Sequence, residues 1–128
     1  MESFLINGQK KLSGQIKVCS AKNALLPILA GCLLCEEKVT LQDVTYFEDV
    51  NNMINILVSL GANVEKYENI LRIDCSSVNK YIIPLELANK LRASVFCLGP
   101  ILSRFKKARL AYPGGCSIGL RKIDIHLT

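Results

Sequence analysis

The sequence predicts an α/β or α+β domain, and three observations carry that prediction. Helix-spaced and strand-spaced apolar patterns alternate along the chain. Half of the 128 residues are hydrophobic and 21% are charged, the balance of a folded chain and not of a disordered one. A weak internal repeat sets a proline-containing apolar helix before a strand twice, over 21–44 with Pro27 and over 87–112 with Pro100. A chain of this length is one domain at most and buries a modest core.

Taken in order, Phe4 to Asn7 reads as a short strand and Gly8 to Lys11 as a turn. Gly14 to Cys19 reads as a second strand, alternating at Ile16 and Val18. Ser20 is placed to cap the next element. Ala21 to Cys35 is a helix that is apolar on nearly every face and hence buried, with Pro27 early enough to bend it without abolishing it. Lys22 and Asn23 fall in its first turn, among backbone N–H groups that favour an anion.

Lys38 to Val44 alternates around Val39, Leu41 and Val44 and reads as a strand. Asp49 to Leu60 has the spacing of an amphipathic helix, stopped by Gly61. Ala62 to Tyr67 and Ile70 to Asp74 form a hairpin across Glu68-Asn69. Leu85 to Phe105 reads as one long helix, with Leu87, Leu91, Val95, Leu98 and Leu102 on one face and a bend at Pro100. Ala108 to Tyr112 is a strand that runs into a glycine-rich loop.

The formal net charge is +5, spread over short clusters such as Lys10-Lys11 and Lys106-Lys107. With few aromatics and no tryptophan, nothing resembles a base-stacking platform or a polybasic arm, so no nucleic acid partner is expected. A small anionic substrate accounts for the surplus equally well. The longest apolar run, Ala24 to Cys35, is too short to cross a bilayer. Met1-Glu2-Ser3 lacks the basic and apolar regions of a secretory signal, so a reducing cytoplasm is the expected location.

Six cysteines stand at 19, 32, 35, 75, 97 and 116. Cys19, Cys32, Cys35 and Cys97 lie in apolar or strand-like runs, where free cysteine behaves as a small hydrophobe. Cys32 and Cys35 have CxxC spacing but no second pair and no nearby histidine, so neither zinc nor redox use is expected of them. No metal site and no dinucleotide or Walker signature is found.

The stretch that concentrates chemistry is Pro113-Gly114-Gly115-Cys116-Ser117-Ile118-Gly119-Leu120-Arg121-Lys122-Ile123-Asp124-Ile125-His126. Adjacent glycines permit a turn that residues with a Cβ resist, and they set a thiol at its tip. Arg121 and Lys122 follow within a few residues, and a thiol near cations shifts toward the reactive thiolate. Arginine also binds phosphate or carboxylate bidentately. Two readings stand at this point: a reactive cysteine beside an anion site, or a surface turn with a solvated basic end. His126 has a plain reading as a structural, hydrogen-bonded histidine.

Four blocks resemble a known family: Ala21-Lys22-Asn23-Ala24-Leu25-Leu26-Pro27-Ile28-Leu29, Leu60-Gly61-Ala62, Leu91-Arg92-Ala93-Ser94, and the Gly-Gly-Cys stretch with Arg121 and Asp124-Ile125-His126. Together they look like the UDP-N-acetylglucosamine 1-carboxyvinyltransferases, a branch of the enolpyruvyl transferase family, over the whole chain from Met1. The sister branch of the shikimate pathway shares the fold but not the Gly-Gly-Cys loop. The resemblance implies transfer of the enolpyruvyl group of phosphoenolpyruvate to the 3-hydroxyl of UDP-N-acetylglucosamine, with release of phosphate. That step opens peptidoglycan synthesis and uses no metal or organic cofactor. The implied fold is two similar domains, each an inside-out α/β barrel of repeated helix–sheet units, closing over the substrates. Residues 1–20 would then be strands packed with the second domain, and 21–128 an incomplete first domain.

Carried over by match, Lys22, Asn23 and Arg121 bind phosphoenolpyruvate. Arg92, Arg121, Lys122, Ile123, Asp124 and Ile125 line the nucleotide-sugar region. Cys116 is the proton donor, the residue that adds covalently to phosphoenolpyruvate, and the family's target of the epoxide antibiotic fosfomycin. Three departures stand out. Family members are a few-fold longer, Lys122 replaces a common proline, and Ser20 replaces a usual glycine. The chain therefore reads as the N-terminal portion of a transferase, inactive alone and completed by the remainder of the transferase chain. The alternative is a non-catalytic module that keeps an anion or nucleotide-sugar site.

Overall fold

The computed structural model describes residues 3–112 and residue 114. Its first helix, α1, is Lys22–Gly31, followed by a 3₁₀ turn over Cys32–Leu34 in place of the helix running to Cys35. Ala24 and Leu25 make the first intrahelical bonds, both to the Ala21 carbonyl at 3.0 Å. Leu25, Leu26, Leu29 and Ala30 are buried, whereas Ile28 stays half exposed, so the helix hides one side and not every face. Ser20 does not cap it: the Ser20 hydroxyl accepts from the Thr45 N–H at 3.0 Å, and Ala21 holds the cap position without a side-chain bond.

The two strands expected before α1 do not form. Residues 3–19 carry no strand and are exposed, with Phe4 at 96% and Ile16 at 90%. Alternation makes a segment strand-competent, but a strand exists only where a neighbour supplies the ladder bonds. An exposed Lys17–Asp43 pair at 3.7 Å ties the segment to the body, and pairs of that kind contribute about 0–1 kcal/mol.

Strand β1 is Val39–Leu41, shorter than the pattern suggested. Asp43 adopts a left-handed φ of +56°, which ends the strand before Val44. Helix α2, Glu48–Leu60, supplies the centre of the core: Val50, Met53, Ile56, Leu57 and Leu60 are fully buried. Glu48 and Asp49 sit in its first turn, where the helix dipole favours acidic groups. It ends in a Schellman cap, with Gly61 N–H donating to Val58 and Ala62 N–H to Leu57, both at 3.0 Å. Gly61 takes φ +108°, and a Cβ there would lie 3.1 Å from the Ser77 carbonyl oxygen.

Strands β2, Asn63–Tyr67, and β3, Ile70–Asp74, form the expected hairpin. The sheet runs in the order β1-β3-β2 and is antiparallel throughout, with Val39 and Val64 both opposite Ile73. Leu71 and Ile73 enter the same core as α2, and Arg72 between them faces out.

The expected long helix over 85–105 is three pieces: α3 at Leu85–Lys90, a 3₁₀ segment at Arg92–Cys97, and α4 at Leu98–Phe105. Leu91 breaks it with an extended backbone, φ −139° and ψ 112°. The 3₁₀ period of three then buries Leu91, Ser94 and Cys97, followed by Ile101, and leaves the expected face half exposed at Leu102. Pro100 sits in the first turn of α4, where its missing N–H costs no helix bond, so it does not bend the chain. The strand expected at 108–112 is reduced to a single parallel bridge, Ile82 with Arg109. It is held by Arg109 N–H to the Tyr81 carbonyl at 2.9 Å and Ile83 N–H to the Arg109 carbonyl at 3.0 Å.

Candidate functional site

Packing decides which of the expected site residues meet. Helix α1 lies against both α2 and the 3₁₀ segment, and the turn after α1 lies against α4. The stretch 22–34 therefore runs beside 92–105 in the same direction. Arg104 confirms it at the far end, donating from Nη1 to the Leu33 carbonyl at 3.1 Å. The near end brings Lys22 and Asn23, in the first turn of α1, to the same side as half-buried Arg92, the first residue of the 3₁₀ segment.

The entry to the Gly-Gly-Cys loop is anchored beside them. Gly114 N–H donates to the Ala88 carbonyl at 3.2 Å, three residues before the break at Leu91. The approach is so close that a Cβ on Gly114 would fall 2.3 Å from the Asn89 carbonyl oxygen. This glycine is required by contact and not by a turn angle. The backbone break at Leu91 thus serves two purposes: it redirects the chain into the Arg92 segment, and it follows the carbonyl on which the loop rests.

Lys22 has a partner that the sequence reading missed. Its Nζ lies 2.5 Å from Asp49 Oδ2, in the first turn of α2, with the two side chains 43% and 35% exposed. The signal available in the sequence was an acidic residue at a helix start, which reads as a dipole partner and gives no hint of a lysine 27 positions away. The pair joins the starts of α1 and α2, so both dipoles and a cation face the same side. Ser94 is a second missed residue. It is completely buried, and its hydroxyl has no hydrogen-bond partner among the described residues.

Cys116, Arg121, Lys122, Ile123, Asp124, Ile125 and His126 lie outside the described residues. The other cysteines divide differently from the sequence expectation. Cys32, Cys75 and Cys97 are buried, but Cys19 and Cys35 are exposed and do not act as core hydrophobes. Burial pushes the Cys32 and Cys97 thiols up to about 12 and the Cys75 thiol to about 11. Among the described residues, no group of three or more histidine, cysteine or acidic side chains could hold a metal, and no helix is long and apolar enough to cross a membrane.

Comparison with known proteins gives a consistent result. The chain is 41% identical over all its 128 residues to the UDP-N-acetylglucosamine 1-carboxyvinyltransferases of Yersinia pestis (strain Pestoides F) and Yersinia pseudotuberculosis serotype O:1b (strain IP 31758). It spans 30% of the length of each. Its fold matches the enolpyruvyl transferase NikO from Streptomyces tendae with a TM-score of 0.68, over 77% of this chain and 23% of that one. At 19% identity this is a likeness of fold, and it identifies the mixed helix–strand unit as enolpyruvyl-transferase-like. The profile of the EPSP synthase (3-phosphoshikimate 1-carboxyvinyltransferase) family matches residues 6–128, and the chain belongs to that family.

Proposed function

We propose that this chain forms part of an enzyme that transfers the enolpyruvyl group of phosphoenolpyruvate to the 3-hydroxyl of UDP-N-acetylglucosamine, in the cytoplasm, as the opening step of peptidoglycan synthesis. The observation that supports the reading is the packing of α1, which starts at Lys22 and Asn23, against the 3₁₀ segment that starts at Arg92, with Gly114 bonded to Ala88 just before that segment. Phosphoenolpyruvate bears a phosphate and a carboxylate, so it needs several cations; Lys22 and Arg121 supply two, with Asn23 beside them. Arg92 and residues 121–125 receive the nucleotide sugar.

In the proposed reaction the Cys116 thiol delivers a proton to the methylene carbon of phosphoenolpyruvate. The adjacent carbon becomes electrophilic and takes the sugar oxygen, whose hydroxyl proton passes to a base in the remainder of the transferase chain. Loss of phosphate and of one methyl proton then restores the double bond. Residues 1–20 would pack with a second domain, and the remainder of a transferase chain would close the cleft and exclude water. The same cysteine would be the point of attack for fosfomycin.

The test is a chimera in which this chain replaces the matching 30% of the Yersinia pestis enzyme. Phosphate release that depends on UDP-N-acetylglucosamine, with the enolpyruvyl product seen by mass spectrometry, is the expected result. Transfer to 3-phosphoshikimate instead would change the acceptor. Binding of both substrates to a folded but inactive chimera would favour a non-catalytic binding module.

A smaller effect is expected at Asp49. Its carboxylate competes with an anionic substrate for Lys22, so Asp49→Asn should tighten phosphoenolpyruvate binding about two- to five-fold, the range of one partly exposed charge pair. Calorimetric titration checks the sign; weaker binding would show that Asp49 holds Lys22 in its working position.

A further inference from the structure

At the end of the molecule away from Lys22, three thiols gather. Strand β3 ends at Asp74, one residue before Cys75, beside the start of β1 at Val39, four residues after Cys35. Arg104 closes the group from the other side. Its Nη1 donates to the Leu33 carbonyl at 3.1 Å and its Nη2 to the Ser76 carbonyl at 3.2 Å. One guanidinium therefore pins the turn that carries Cys32 and Cys35 onto the segment that carries Cys75. Cys35 is exposed, while Cys32 and Cys75 are buried behind it.

We propose that Cys35 and Cys75 are a thiol pair that forms a reversible disulfide with small aliphatic disulfides as the oxidant, a modification site separate from the Cys116 loop. In the first step the Cys35 thiolate attacks one sulfur of the small disulfide, making a mixed disulfide and expelling one small thiolate. In the second Cys75 gives up its proton and its sulfur attacks the Cys35 sulfur, breaking the mixed bond and expelling the other small thiolate, which takes a proton. The protein's two thiol protons end on the two small thiols. The protein pair is oxidised by two electrons and the small disulfide is reduced by the same two.

The order of events follows from access: a small disulfide reaches exposed Cys35 first, and the second step is internal and needs no solvent. The choice of Cys75 over Cys32 follows from charge. Burial raises both thiols, to about 12 for Cys32 and about 11 for Cys75, and the Arg104 cation beside Cys75 offsets part of its rise. Among the described residues no cation acts on Cys32 in this way, and its Sγ donates to the Ile28 carbonyl at 3.3 Å, facing back along α1. A Cys32–Cys35 bridge would also have to rebuild the 3₁₀ turn closed by the Cys35 N–H to Cys32 carbonyl bond at 3.0 Å.

The full chain is incubated with glutathione disulfide, quenched with acid, and mapped by non-reducing peptide mass spectrometry. The expected product is a Cys35–Cys75 peptide that dithiothreitol reverses, with a melting temperature raised by about 10 °C through closure of the intervening loop. Cys32→Ser should still form it. Cys75→Ala should stop at glutathione on Cys35, and Cys35→Ser should give no internal disulfide. A Cys32–Cys35 peptide, any other internal pairing in its place, or wild-type protein that carries glutathione on Cys35 without closing, overturns the proposal. The wild-type map decides the matter even if a variant folds poorly.

Discussion

Gly114→Ala is expected to reduce turnover of the chimeric transferase about a hundred-fold while leaving the chain folded. The new Cβ would stand 2.3 Å from the Asn89 carbonyl oxygen and 2.9 Å from its carbonyl carbon and Cα. These are backbone atoms at the end of α3 and cannot swing away like a side chain. The loop must lift, and the Gly114 N–H bond to Ala88 at 3.2 Å is lost with it. Two residues further on is Cys116, so a shift of the root becomes a shift of the thiol. A displacement near 1 Å at a reacting group costs about 10²-fold in rate. The core need not follow, because Ala88 and Leu91 are held from the other side by the buried cluster. Gly99 provides the control: it lies in α4 with nothing within 4 Å of its virtual Cβ, so Gly99→Ala should keep full activity. Normal kcat in Gly114→Ala with an unchanged melting curve would show that the loop does not depend on this contact.

Much of the fold is legible in the sequence wherever burial and local period agree. The amphipathic spacing of α2, its stop at Gly61 and the β2–β3 hairpin follow from patterns that one element satisfies alone. The misses share a cause, since each depends on a neighbour that local pattern cannot name. Apolar steps of three and four between 87 and 102 suit one long helix as well as a helix broken at Leu91, and only packing against α1 selects the 3₁₀ path through Ser94 and Cys97. Phe4, Ile16 and Val18 alternate correctly, yet neither edge strand of the sheet, β1 or β2, pairs with them. Ser20 has a capping side chain, but the Thr45 N–H claims it. At the candidate site, Lys22, Asn23 and Arg92 are proposed from motifs, whereas no motif points to Asp49, because its pairing with Lys22 arises from two helices starting side by side. The thiol pair is the same case. CxxC spacing draws the eye to Cys32 and Cys35, while Arg104 ties the turn that carries them to the segment that carries Cys75.

The largest effect is expected at Cys116, where Cys116→Ser should lower turnover of the chimera about 10³-fold and Cys116→Asp should retain a measurable part of it. The argument rests on acidity. Carbon protonation at neutral pH needs a donor that gives up its proton readily, and positioned general acids contribute about 10²–10⁴-fold. Serine's hydroxyl holds its proton far too tightly. A carboxyl group is too acidic in water, but partial burial in a loop raises its pKa and keeps a fraction protonated. Lys22→Ala should behave differently, weakening phosphoenolpyruvate binding together with rate, because it removes a charge that the anion uses in the ground and transition states alike. Fosfomycin gives an independent readout. It should inactivate the chimera with one adduct on Cys116 and should leave Cys116→Asp untouched. The thiols of Cys32, Cys75 and Cys97 are buried away from an external reagent and should not compete, but the exposed Cys19 and Cys35 are fair rivals. Inactivation tracking an adduct on either of them, or full activity in the serine variant, would remove Cys116 from the proton-donor role.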